Sequence, residues 1–295
     1  MSQEVAIIEK IKQVESKMLN LIPADVAKRE VSFAVQHVAG STQLQKCTPV
    51  SLQTAVYNIA NIGLSLNPAS KEAYLVPRYN SALQTMEASL QPSYVGLIKL
   101  LTDAGTVTQV TTNIVYEGDK FDIDLATGFV SHRPCLVKVN KGQKIGAYAL
   151  ATLPNGAKQC QWMEVEEINE IRNCSESYKN EKTRQYSPWE KFWDEMAKKT
   201  VVRRLYKYLP RSGGSTVVDQ AIEADDAQYS ATTNQLLLIE DLLRTANISP
   251  EVSRKMSQEL LNYSRAEAET AIEYLRENQI ESNDPRKQNV VRNKV

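Results

Sequence analysis

Between Trp193 and Leu209 an apolar residue recurs at every fourth position: Trp193, Ala197, Val201, Leu205 and Leu209. Only a helix turns that spacing into a continuous ridge. A second row keeps the same step with cations, namely Lys199, Arg203, Lys207 and Arg211. At about 100° per residue, each cation lies two residues, about 200°, from an apolar neighbour. The pattern therefore predicts one long helix over 188–209 with a buried side and an opposed basic side. Trp189, Phe192 and Met196 thicken the apolar side at the start, and Pro210 stops the helix, leaving Arg211 beyond it.

From Met196 to Arg211 there are six basic residues (Lys198, Lys199, Arg203, Arg204, Lys207, Arg211) and no acidic one. A solvated helix usually mixes signs and gains a few tenths of a kcal/mol per pair. This segment gives that up, which points to an anionic partner. Steps of four residues place charges about 6 Å apart, a spacing that can track a phosphate backbone. A positive face paired to acids elsewhere in the fold accounts for the composition equally well. The net charge of +0 hides an asymmetry: after Gly214 there are nine basic and fourteen acidic residues, and the body before it carries the balance. A basic body with an acidic appendage fits a nucleic-acid binder with a docking tail.

The rest of the chain reads as α+β, an antiparallel sheet and hairpin packed with helices. Amphipathic helices are predicted over 2–22 and 26–39, and a third starts at Thr48-Pro49, a cap followed by a first-turn proline, and runs to Gly63. Residues 73–78 and 85–90 read as a hairpin with a turn at 79–82. A short helix over 93–104 stops at Gly105, and 106–153 favours strands. A strand over 158–163 and a helix over 165–172 precede a polar loop, 173–187. The core is expected to span 1–212. A hinge at Ser212–Ser215 then opens a flexible acidic linker (213–231). A small three-helix module (232–281) and a disordered tail (282–295) complete the plan.

Several function classes are disfavoured. No run of about 18 apolar residues occurs, and the start reads as a charged helix instead of a signal peptide, so a cytoplasmic protein is expected. Cys47, Cys135, Cys160 and Cys174 never approach Cys-x-x-Cys spacing, and with only His37 and His132 a zinc site is not expected. No phosphate-binding Gly-x-x-x-x-Gly-Lys-Ser/Thr loop and no Gly-x-Ser-x-Gly elbow is present. Asp119, Asp122 and Asp124 could mimic a nuclease metal cluster. However, Asp122 and Asp124 alternate with Phe121 and Ile123, as polar positions of a half-exposed strand do. No catalytic residue, metal or cofactor is expected.

The run PWEKFWDEMAKKTVVRRLYKYLP over 188–210 resembles the hallmark segment of the RecT family of phage single-strand annealing recombinases. GLSLNPA (63–69) with AYLVP (73–77) resembles its hairpin region, and YVGLI (94–98) with VYEGDKF (115–121) its central helix and strand. SHRP (131–134) and GAYA (146–149) also fit, so the likeness covers roughly residues 45–212. The resemblance implies a cytoplasmic protein of a phage or prophage host that binds single-stranded DNA and anneals complementary strands without ATP. It further implies a homo-oligomeric ring or helical filament that acts beside a 5′→3′ exonuclease.

On that resemblance, Lys198, Lys199, Arg203, Arg204 and Lys207, with Lys191 and Arg211 at the ends, are the phosphate-contact candidates. Arg78, Tyr79 and Tyr94 combine basic and aromatic character, as base-stacking sites do, and Lys99 is similar. Ordinary half-buried packing is the alternative for these tyrosines. Arg133 is a further candidate, with a structural strand-end role as its alternative. Trp189, Phe192 and Trp193 are assigned to packing. The tail module is expected to dock a protein partner, such as the cognate exonuclease or a host single-strand binding protein. The competing function is a DNA-binding adaptor of phage replication that recruits partners without pairing strands.

Overall fold

The computed structural model describes residues 3–80, 84–175, 178, 181–185, 187–210, 215–226, 233–260, 263 and 265–278. The chain divides into two compact units, one built from Met1–Asn80 with Thr85–Asp225 and one that takes in Asp226–Val295. The architecture is α+β, with helices packed on small antiparallel sheets.

The first unit opens with helices. The predicted helix over 2–22 is two pieces, α1 (Gln3–Lys12) and α2 (Val14–Met18). At their junction the Ser16 hydroxyl donates to the Gln13 carbonyl, a local bond that competes with the helical ladder. Ile7, Ile11, Val14 and Met18 are buried against α3 (Ala24–Ala39) and α4 (Pro49–Ile62). The ends of α4 follow the sequence signals: Thr48 accepts from the Ser51 N–H, and Gly63 takes φ 74°. Past Gly63 the chain is held by a buried carboxylate. Glu30 of α3 accepts from the Ser65 hydroxyl at 2.6 Å and the Leu66 N–H at 2.8 Å. His37, about two turns further along the same face of α3, bonds the Leu66 carbonyl at 2.8 Å.

That anchored segment leads into a hairpin, β1 (Ala73–Asn80) antiparallel to β2 (Thr85–Pro92), with Ala73 opposite Pro92 and Asn80 opposite Thr85. The strands outlast the predicted turn, so the connection is 81–84, two residues later than the sequence suggests. Ser93 caps α5 (Tyr94–Asp103), whose Gly96 lies so close to the Glu72 carbonyl oxygen that a β-carbon has no room.

The central sheet has the order β3 (Gln109–Tyr116), β6 (Lys144–Thr152), β7 (Lys158–Glu164), all antiparallel. The two strands between them in sequence, β4 (Lys120–Asp124) and β5 (Phe129–Arg133), pair separately as a hairpin. Alternation along β6 sends buried Ala147, Ala149 and Ala151 to one face and Tyr148 to the other. On the tyrosine face, the Phe121 ring of β4 lies 5.5 Å from Tyr148 and 4.9 Å from Trp162. The small-residue face lets a helix approach closely. That helix is α9 (Trp193–Tyr206), preceded by α6 (Val165–Cys174), α7 (Glu181–Arg184) and α8 (Pro188–Lys191). Thus α7 occupies part of the segment expected to be a loop.

Residues 215–226, which the sequence reading gives to an acidic linker, form α10 (Ser215–Asp226). Its Val218 and Ala221 are fully buried in the main core, and the Tyr206 hydroxyl donates to Asp219 at 2.5 Å. Val217, Val218, Ala221 and Ile222 supply an apolar stripe that the four acids of the segment mask in composition. The hinge residues up to Gly214, the remaining linker positions and the tail beyond 278 lie outside the described residues. The second unit is built on α11 (Thr233–Thr245), α12 (Pro250–Glu259) and α13 (Arg265–Glu277). It has a core of its own, with Ile239, Leu242, Leu260, Ala268, Ile272 and Leu275 buried. No helix among the described residues is long and apolar enough to cross a membrane.

Candidate nucleic-acid interface

The helix expected over 188–209 is interrupted at Phe192. Ser187 accepts from the Trp189 N–H and Pro188 opens α8, but Phe192 adopts φ −137°, ψ 47°, and α9 starts afresh at Trp193. The break turns the Phe192 side chain outward, 60% exposed, whereas Trp189 is buried. Trp193 is half-buried, and its indole N–H donates to the Asn169 side chain at 3.0 Å. The apolar row is as expected: Ala197, Val201, Leu205 and Leu209 are all buried.

The basic row does not form a uniform outward face. Lys199 is only 6% exposed, because Val202 and Tyr206, its near neighbours around the helix, are buried as well. Helix α9 packs against the sheet and also against α5, so two of its sides are covered. Arg203 is half-buried, while Lys207 and Lys191 are exposed. Arg204 pairs with Glu167 of α6. Lys198 pairs with Glu195 at 3.3 Å and lies 5.3 Å from the centroid of the Tyr94 ring. Arg211 lies outside the described residues.

The other candidates are dispersed. Lys99 is engaged locally, donating to the Gly63 carbonyl at 3.1 Å and to Asp103 at 2.6 Å. Arg78 lies opposite Glu87 on the hairpin, and exposed Tyr79 lies opposite Met86. Exposed Arg133 ends β5 directly opposite Lys120. Of the twelve candidates, Tyr94 and Lys198 are brought into contact.

One further residue, which the sequence reading passes over as a strand residue, feels the charges of this neighbourhood. Tyr74 on β1 is exposed, and its hydroxyl is pushed above the ordinary tyrosine value of 10.0 by burial, by Glu195 and by Tyr94. A tyrosine of α5 therefore meets a lysine of α9, which pairs with Glu195, and Tyr74 lies within electrostatic reach of Tyr94 and Glu195. A similar arrangement lies at the start of β6. Lys144 pairs with Asp194 at 2.5 Å and lies 4.6 Å from the Trp193 ring, and Lys141 lies 3.8 Å from the Tyr116 ring. One sequence signal for this second group exists. No acidic residue occurs between Asp124 and Glu164, a stretch that carries Arg133, Lys138, Lys141, Lys144 and Lys158.

The aspartates in and just before β4 do not converge. Asp119 has its carboxylate buried and accepts from the Cys135 N–H at 2.6 Å, the Tyr116 N–H at 2.9 Å and His132 Nε2 at 3.0 Å. Burial pushes this carboxyl up, but the three hydrogen bonds and the attraction of His132 outweigh it and leave the group below the ordinary value of 3.8. With its proton on Nε2, His132 can accept from the Tyr148 hydroxyl at Nδ1, 3.4 Å away. Asp124 caps its own turn through the Ala126 N–H and the Thr127 hydroxyl, and Asp122 is exposed. Among the described residues no three His, Cys, Asp or Glu side chains are grouped to hold a metal ion.

Two comparisons bear on this arrangement. The sequence pattern of the RecT family matches residues 28–235. Protein RecT of Escherichia coli (strain K12) is 29% identical over 206 residues, which cover 68% of this chain and 72% of that protein. The matched span includes the hairpin, α5, the central sheet and α9.

Proposed function

This chain belongs to the RecT family of recombination and annealing proteins, and we propose that it binds single-stranded DNA and speeds pairing of complementary strands without hydrolysing a nucleotide. The observation that carries this reading is the contact between Tyr94 and Lys198 within the matched span. Aromatic faces stack on bases of any sequence, and a cation beside them holds the backbone. Exposed Lys191 and Lys207 extend the positive surface along α8 and α9.

In this mechanism the protein supplies no reacting group and needs no cofactor. Cations take the place of counterions on the phosphates of a strand, releasing them to solvent. A second strand can then approach with less repulsion, and base pairing itself drives the step. The chain works as a homo-oligomer in a bacterial cytoplasm, so that successive copies hold a strand over many bases.

The test is the pairing rate of two complementary fluorescent oligonucleotides without ATP, over a salt series. Replacing Lys191, Lys198 and Lys207 with Ala is expected to slow pairing about tenfold or more. The slope of log affinity against log salt should flatten by about 2, near 0.7 for each phosphate contact removed from a single strand. An intact chain that binds DNA without speeding pairing would sink the annealing reading and leave the adaptor in its place.

The second unit supports a docking role. It closes a core of its own yet leaves Leu237 and Tyr274 exposed. We assign it the capture of a recombination partner, an exonuclease or a single-strand binding protein. Removing 228–295 is expected to leave pairing rates within about twofold while abolishing co-purification with either partner, in keeping with self-contained domains. Co-purification that survives the deletion places the docking site elsewhere.

A further inference from the structure

The loop from β5 to β6 presents the most exposed large apolar groups of the described chain, Leu136 at 93% and Val139 at 92%, with Val137 also exposed. This loop is not slack. Its base is tied by the Cys135 N–H to Asp119 at 2.6 Å and by the Gly118 N–H to the Lys141 carbonyl at 2.9 Å. Glu117 and Gln143 close it further: the Glu117 N–H donates to the Gln143 carbonyl, and the Gln143 N–H to the Glu117 carboxylate. A held loop with an uncovered apolar tip is a presented surface.

Its charge is one-sided. Arg133 faces Lys120 across the hairpin, a like-charged cross-strand pair that costs stability in isolation. Lys138 sits between Val137 and Val139. Among the described residues, neither Arg133 nor Lys138 has an acidic partner.

Helix α6 carries the complement. Glu166 and Glu170 lie one turn apart and are exposed, with exposed Ile171 beside them. Neither of these carboxylates has a basic partner among the described residues, while Glu167 is turned to Arg204. The strand order sets the two surfaces at one end of the sheet but on opposite edges. The loop is fastened just past the end of β3, at one edge, and α6 continues from the end of β7, at the other.

We propose that the 133–142 loop of one copy seats on α6 of the next, with Leu136 and Val139 against Ile171 and with Arg133 and Lys138 against Glu166 and Glu170. A DNA strand would satisfy the cations but leave the apolar tip uncovered, whereas a second copy covers both. The contact joins unlike surfaces, so it propagates from copy to copy and yields a ring or a filament, not a closed pair. It rests on the assembly part of the reading above and names its surface.

Sedimentation velocity of the full chain without DNA, over a concentration series, tests it. Lys138→Glu and Glu170→Lys are each expected to move assembly to concentrations about tenfold higher or more, by setting like charges together. The double variant K138E/E170K should recover assembly to within about threefold of the intact chain. A Leu136→Ser/Val139→Ser variant should also lose assembly. Unchanged assembly in that variant, or failure of the charge swap to rescue, overturns the contact. Weakened DNA binding with unchanged assembly also overturns it and makes nucleic acid the occupant. An intact chain that stays monomeric overturns it too. Pairing rates of the same samples keep the two readings apart, since a chain that pairs strands without responding to the loop variants loses only this contact.

Discussion

Leu205→Ala is expected to destabilise the first unit by about 3 kcal/mol, within the range of roughly 2–5 for a large-to-small change at a fully buried leucine. Leu205 is inaccessible to solvent and belongs to the ridge that α9 turns toward the core. Neighbouring ridge positions are Ala197 and Val201, and the small-residue face of β6 is built of alanines, so no large side chain is at hand to fill the void. At roughly 2–4 °C per kcal/mol for a unit of this size, the calorimetric midpoint should fall by about 6–12 °C. Lys207→Ala, at the exposed C-cap of the same helix, is expected to leave the midpoint almost unchanged, within about 0.5 kcal/mol, while weakening DNA binding. A midpoint for Leu205→Ala within about 2 °C of the intact chain would contradict the packing described here.

Asp119→Ala should cost a comparable amount, about 3 kcal/mol or more, for a different reason. Three donors to its buried carboxylate, the half-buried Tyr116 and Cys135 N–H groups and His132 Nε2, would lose their acceptor together, at about 1–3 kcal/mol for each stranded group. Asp119→Asn keeps an acceptor oxygen and the shape, so its cost is expected to be about half. The wild-type group also sets an acid limit. Its folded pKa lies below the unfolded value, so its contribution is complete above about pH 4 and is lost as pH falls through the folded pKa. In the Asn variant that part of the acid sensitivity should disappear. Equilibrium urea unfolding at neutral pH and near pH 3 measures both effects. An Ala variant as stable as the intact chain would contradict the buried network.

Local signals in the chain carry much of the fold. Thr48-Pro49, Ser93, Ser187-Pro188 and Ser249-Pro250 each announce a helix start, and Ser or Thr supplies the cap in every case. The four-residue apolar row finds the buried ridge of α9. What escapes is tertiary. A periodic row reports one covered side, and α9 has two, which is why Lys199 is buried although it stands about 200° from the ridge. The break at Phe192 has no proline or glycine to announce it. Tyr94 and Lys198 meet across more than 100 residues of sequence, a separation that no local pattern reports. Segment 215–226 shows the opposite failure, where acidic composition hides an apolar stripe. At the candidate interface, residue types were legible, but which of them meet was not.

The division into two units also governs what an optical probe can see. All three tryptophans, Trp162, Trp189 and Trp193, lie in the first unit, whereas helices contribute ellipticity in both. Tryptophan emission, excited at wavelengths tyrosine does not absorb, therefore follows the larger unit alone, and far-ultraviolet dichroism follows the sum. Coincident transitions by the two signals would mean that the units unfold as one cooperative body. A dichroism transition without an emission change would be the signature of the smaller core melting by itself, and no single unfolding free energy would then describe the chain.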